Sequence, residues 1–107
     1  VVAVQMSRCA ATIVAILAVL KAGGAYLPIE PDSPALRRDF SLEQTQPRVI
    51  VTTSDLAATL APRWLSVVIA IDAAETLSDL AQRTSRPPSA SDRRAQLSPQ
   101  HPAYLIY

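Results

Sequence analysis

Glycine is almost missing from this chain: its 107 residues include two, Gly23 and Gly24, and they are neighbours. Neither the spaced glycines of a dinucleotide fingerprint nor a Walker loop can be assembled from such a pair. A single cysteine, Cys9, excludes an intrachain disulfide and a cysteine-cluster metal site. A single histidine, His101, leaves an imidazole–thiolate set short of ligands, so no metal site is expected. Aromatic residues are few, and Trp64 and the tyrosines lack the spacing of a stacking platform; core or rim packing is expected of each. Charge of one sign is lacking too. Ten basic and nine acidic residues give a formal charge of +1, so neither nucleic acid nor an anionic membrane is expected as a partner. The pairs Arg37-Arg38 and Arg93-Arg94 read as solvated surface.

Long apolar runs are also wanting. The longest, Cys9 to Leu20, is interrupted by Thr12 and closed by Lys21-Ala22-Gly23-Gly24. It falls short of the roughly 20 residues that a membrane span needs. Val1 to Met6 has no basic flank or small-residue cleavage site, so no signal peptide is read there. A soluble, reducing, cytoplasmic setting follows as the expectation, with Cys9 an inert buried thiol inside its apolar run.

What the chain does have is a globular balance, half apolar and 18% charged. Strand-like and helix-like runs alternate along it. Val1 to Met6 is extended, and Ser7 is placed to cap a helix from Arg8 to Ala22 with Ile13, Ile16, Leu17 and Leu20 on one face. That helix is apolar nearly all round, which implies burial on more than one side. Gly23 suits the left-handed position after its end. Ala25 to Glu30 is extended, with Pro28 confining it to an edge or bulge. Ser33 reads as a cap and Pro34 as the first residue of a helix to about Gln44, where Leu36 and Phe40 stack at i, i+4.

Pro47 biases Gln46 towards extended geometry, and Arg48 to Thr53 forms the next strand. Ser54 or Asp55 caps a short helix bearing Leu56 and Leu60, brought to an end by Pro62. Val67 to Ile71 is a fourth strand, followed by a helix with Leu77, Leu80 and Ala81 on one face. Residues 84–102 hold Pro87, Pro88, Pro99 and Pro102 and no apolar period, and read as a long exposed loop. Ala103 to Tyr107 is strand-like again. The expected fold is α/β: a mostly parallel sheet with helices on its faces, in the manner of a Rossmann-like half-domain. With no initiator methionine, and apolar runs at both termini, the chain is expected to be a partial domain cut at each end.

Candidate chemical groups are sparse. His101 is a general base or a solvent-facing turn residue. Glu30 and Asp32 fit a turn and helix start, while Asp39 and Glu43 read as two solvated acids on a helix exterior. Asp72, after the fourth strand, either touches a ligand or caps the helix that begins at Ala73 or Ala74. No residue is assigned a catalytic role.

One segment is far more specific. Val19-Leu20-Lys21-Ala22-Gly23-Gly24-Ala25-Tyr26-Leu27-Pro28-Ile29-Glu30-Pro31 resembles the second core motif of nonribosomal peptide synthetase adenylation domains, members of the adenylate-forming superfamily. Pro34 with Arg37 resembles the helix start that follows, and Gln46 to Thr52 the next strand. Pro102 to Tyr107 is similar to the lead-in to the third core motif. Glu30 departs from the aspartate more usual there. The resemblance spans essentially the whole chain. It implies a parent that uses Mg·ATP to convert an amino acid to its adenylate and loads it on the phosphopantetheine of a carrier domain. It also implies carrier and condensation domains and the rest of the adenylation domain as partners. The family's phosphate loop, substrate pocket and lysine would lie beyond Tyr107, which touches the edge of the nucleotide motif. Lys21, Gly23, Gly24, Tyr26 and Pro28 are implied as structural motif residues, and the chain alone as inactive and without bound cofactor. The alternatives are another adenylate-forming enzyme, such as an acyl-AMP ligase or acyl-CoA synthetase, and a self-contained flavodoxin-like binding domain.

Overall fold

The computed structural model describes residues 1–107, with side chains for all but positions 65 and 66. Strands β1 (Val2–Gln5), β2 (Tyr26–Ile29), β3 (Val49–Thr52) and β4 (Val68–Ala70) form one sheet in the order β2-β1-β3-β4. Every pairing is parallel. Helices α1 (Ala10–Lys21), α2 (Ala35–Thr45), α3 (Ser54–Ala57) and α4 (Ala74–Gln82) connect or follow the strands, with 3-10 turns at Pro62–Val67 and Ala90–Asp92. The α/β alternation in the sequence thus becomes an all-parallel sheet with helices on both faces.

Strand periodicity of two separates the faces. Ala3, Leu27, Ile29 and Ile50 point to one side and pack with Leu42 of α2 and Leu60. Val4 points to the other and packs with Met6 and with Ala15 and Val19 of α1. Leu42 and Ile50 are wholly buried, and truncating side chains so placed costs about 2–5 kcal/mol each. Pro28 lies on edge strand β2, as its missing N–H requires.

Several local expectations are corrected. Helix α1 starts at Ala10, not Arg8, with Cys9 at the N-cap and no side-chain cap bond. Ser7 does not cap it; its carbonyl accepts the Thr12 hydroxyl instead. Inward positions are Ala15 and Val19, while Ile13 and Leu17 are exposed. A helix apolar all round carries no periodic signal to choose its face, and small Ala15 allows the closer approach to the sheet. On α2, Pro34 occupies the N-cap, with no side-chain cap from Ser33. Leu36 and Phe40 face outward, and Leu42 takes the buried slot.

Gln46 is left-handed at φ 42°, ψ 61°, not extended. Its N–H bonds the Leu42 carbonyl at 2.8 Å, and the Arg48 N–H already reaches the Val1 carbonyl at 3.0 Å. Closing α2 and reversing into β3 within two residues overrides the pre-proline preference. Pro62 does not end α3, which stops at Ala57; it opens the 3-10 turn. Helix α4 forms as expected, but Leu77 and Leu80 are exposed.

The charged surface is also more structured than its spacing suggests. Arg38 is buried, its guanidinium donating to the Thr59 hydroxyl at 3.2 Å and the Thr59 carbonyl at 2.9 Å. Asp39 and Glu43 are not merely solvated: both hold Arg63, at 3.3 and 2.7 Å. Arg63 in turn lies 5.4 Å over the Trp64 ring. No helix is long and apolar enough to cross a membrane, among the described residues.

Candidate functional site

The motif segment begins where α1 ends. The Gly23 N–H bonds the Leu20 carbonyl at 3.0 Å and the Gly24 N–H the Val19 carbonyl at 2.9 Å. This is the paired closure of a Schellman turn, with its C′ residue, Gly23, at φ +83°. Gly24 is needed for a different reason. A β-carbon there would sit 3.1 Å from Val19 Cγ1 and 3.4 Å from the Val19 carbonyl oxygen. The Lys21 side chain is exposed in the last turn, where a cation suits the helix dipole.

Beyond the turn, β2 pairs with β1 on one side through Tyr26 to Ile29. Tyr26 serves its other side: its N–H donates to the Ala103 carbonyl at 3.1 Å and its carbonyl accepts the Leu105 N–H at 2.9 Å. That makes a parallel bridge to Tyr104, whose ring lies 5.9 Å from the Tyr26 ring. By the same alternation Pro28 would be the next donor towards Leu105, and it has no N–H. The ladder therefore stops at Tyr26, and the chain after Leu105 leaves the sheet edge for α2. There the Tyr107 carbonyl accepts Arg37 Nη2 at 3.1 Å, and its ring meets Phe40 edge-on at 6.4 Å.

Tyr107 thus sits beside the carboxyl end of β2 and the start of α2, on a cleft of about 500 Å³ bordered by Pro28, Glu30, Arg37 and Ile106. Glu30 is engaged by Arg8 at 3.1 Å on the exposed surface. At the carboxyl ends of β1 and β3, Gln5 and Thr52 are wholly buried on the α2 face. Their side-chain polar atoms have no hydrogen-bond partner among the described residues. Polar groups so buried are normally paired, so a further hydrogen-bonding group belongs there.

Asp72 does not cap the helix that follows it. Its Oδ1 accepts the Ser54 N–H at 2.8 Å and the Ser54 hydroxyl at 2.9 Å, so it caps α3 from across the sheet edge; α4 has Ala73 at its N-cap. His101 is exposed, with its N–H on the Ser98 carbonyl at 3.0 Å. Among the described residues, no group of three or more His, Cys, Asp or Glu is placed to hold a metal ion.

Cys9 corrects the buried-thiol expectation: it is exposed at the start of α1. The Thr12 side chain 3.5 Å from its sulfur, then the Thr12 N–H, hold the thiol below its ordinary pKa. Iodoacetamide should accordingly alkylate Cys9 with a midpoint below the ordinary thiol value of about 8.5. Thr12→Val should raise that midpoint, because the thiolate loses the hydroxyl that can turn from the Ser7 carbonyl to donate to it. An alkylation profile identical in both proteins would contradict this arrangement.

Two contacts had no signal in the sequence. Arg93 Nε donates to the Lys21 carbonyl at 2.9 Å, and Leu97 lies against Gly23. Both come from the stretch that lacks periodicity, so neither spacing nor composition marks them. The expectation of a solvated Arg93 is corrected. Within the same stretch, Ser89 and Asp92 form a capping box and Arg86 pairs with Asp92 at 3.0 Å. The Ser89 N–H, then its hydroxyl, then Arg86 keep the Asp92 carboxyl below its ordinary pKa.

The family model described as AMP-binding enzyme matches residues 1–107. A dimodular nonribosomal peptide synthase of Bacillus subtilis is 40% identical over 106 residues, covering 99% of this chain and 4% of that protein. The phosphinothricin tripeptide synthetase PhsB of Streptomyces viridochromogenes is 38% identical over 107 residues, covering 100% of this chain and 8% of its own length. Among solved structures, the nonribosomal peptide synthetase FmoA3 in its alpha-methyl-L-serine-AMP bound form superposes with a TM-score of 0.77 at 30% identity. That match covers 99% of this chain and 11% of FmoA3. The chain thus spans a small part of each relative.

Proposed function

The chain belongs to the AMP-binding enzyme family, as a stretch of an adenylation domain of the nonribosomal peptide synthetase type, and on that premise we propose that the complete protein activates an amino acid with ATP. The substrate carboxylate attacks the α-phosphorus, pyrophosphate leaves, and an aminoacyl adenylate remains. The acyl group then passes to the phosphopantetheine thiol of a neighbouring carrier domain, with release of AMP; a condensation domain is a further neighbour. Mg²⁺ carried with the ATP would offset phosphate charge. The setting is cytoplasmic.

The observation that carries this reading is the structural likeness over 99% of the chain to a synthetase known with an amino-acid adenylate bound. The relatives are peptide synthetases, which favours an amino acid over the fatty acid of an acyl-AMP ligase or acyl-CoA synthetase, and over a flavodoxin-like binding domain. Residues 1–107 hold scaffold rather than catalysis in this account. Gly23 and Gly24 close α1, Tyr26 and Pro28 define the edge, and Tyr107 borders the nucleotide site.

The reading frame after Tyr107 tests the assignment. Ligands of parallel sheets gather beyond the carboxyl ends of strands. A glycine-, serine- and threonine-rich loop ending in lysine should therefore follow within about ten residues, the length a phosphate-cradling loop requires. A continuation of roughly fifteen residues with fewer than two glycines and no lysine would contradict it.

A further inference from the structure

Residues 93–107 are attached to residues 21–40 at four successive points. Arg93 Nε donates to the Lys21 carbonyl at the C-terminal end of α1, where a guanidinium is favoured by the helix dipole. Leu97 covers the bare face of Gly23: a β-carbon there would lie 2.8 Å from Leu97 Cδ2. Tyr26 then takes the backbone of Ala103 and Leu105, and Arg37 takes the Tyr107 carbonyl. The link between the second and third points is short and stiff. It contains Pro99 and Pro102 and a turn in which the His101 N–H meets the Ser98 carbonyl.

We propose that Arg93 and Leu97 are positioning residues for nucleotide binding: by clasping the Lys21–Gly23 turn they fix the register in which Ala103–Leu105 meets Tyr26 of β2. The physical basis is strand register. A slip of one residue turns every side chain of a strand to the opposite face, and the Tyr26 bridge is too short to resist a slip, because Pro28 cannot extend it. Fixing Leu97 on Gly23 leaves the proline-stiffened link a single comfortable reach to Tyr26. Tyr107 and whatever follows it are then delivered to the cleft beside Arg37 in one orientation. This role rests on the adenylation reading for its consequence, though not for its geometry.

The test uses the complete adenylation domain with Arg93→Ala, Leu97→Ala and Arg93→Lys, and two readouts. Amide hydrogen exchange at Leu105 should accelerate roughly tenfold in both alanine variants, since its N–H loses its fixed partner, the Tyr26 carbonyl. The KM for ATP should rise roughly tenfold while that for the amino acid stays put. Arg93→Lys should recover most of both, because an ammonium can still donate to the Lys21 carbonyl. A purely structural role would lower the melting temperature without separating the two KM values. Unchanged exchange at the Leu105 amide in both alanine variants overturns the proposal whatever the activity. Accelerated exchange in a domain that adenylates nothing would uphold the clasp and overturn the adenylation reading instead.

Discussion

Replacing Gly23 with valine is expected to destabilise the complete domain by about 1–3 kcal/mol, which is a sizeable fraction of a typical domain's stability. Two separate causes contribute. At φ +83° a β-branched residue is strained by its own backbone. Its β-carbon would also start 2.8 Å from Leu97 Cδ2 and 3.6 Å from Arg93 Cδ, so the half-exposed Leu97 side chain must swing off the turn. The causes can be separated by adding Leu97→Ala to Gly23→Val. The second substitution removes the clash and leaves the backbone strain, so it should restore part of the lost melting temperature and not all of it. Wild-type melting behaviour in the single Gly23→Val variant would contradict the left-handed turn.

The two adjacent glycines illustrate what was legible. Sequence pattern pointed to Gly23 as the left-handed residue after α1, and the Schellman bonds from Gly23 and Gly24 are the physical expression of that pattern. It was blind to the reason for Gly24, the 3.1 Å approach of Val19 Cγ1, because close approach depends on which turn the helix presents. The same holds for α1 as a whole. Its existence and end were legible, but its inward face was not, since Ile13, Ile16 and Leu17 are as apolar as Ala15 and Val19.

Long-range polar pairing was the least legible part. Arg38, buried on Thr59, and Arg37, exposed and reaching the Tyr107 carbonyl, are adjacent and chemically alike, yet α2 turns one towards the core and the other towards the cleft. Asp72 was singled out correctly as an acid at a strand's carboxyl end, but its partner, Ser54, lies on a different crossover. Pro28 carried more information than its placement on an edge strand. Because Tyr26 faces the terminal segment, the proline two residues on is what releases Ile106 and Tyr107 from the sheet. The candidate nucleotide edge is therefore a product of alternation along β2, legible once the partner of Tyr26 is known.

The most direct measurement of the central claim is amino-acid-dependent exchange of labelled pyrophosphate into ATP by the purified complete domain. Reversible formation of an acyl adenylate returns pyrophosphate to ATP only when the cognate acid is present, so the assay reports both the reaction and its substrate class. The account predicts exchange above blank with at least one amino acid, none with fatty acids, and none from residues 1–107 alone. Exchange stimulated by a fatty acid and by no amino acid would contradict it, as would exchange catalysed by the 107 residues themselves.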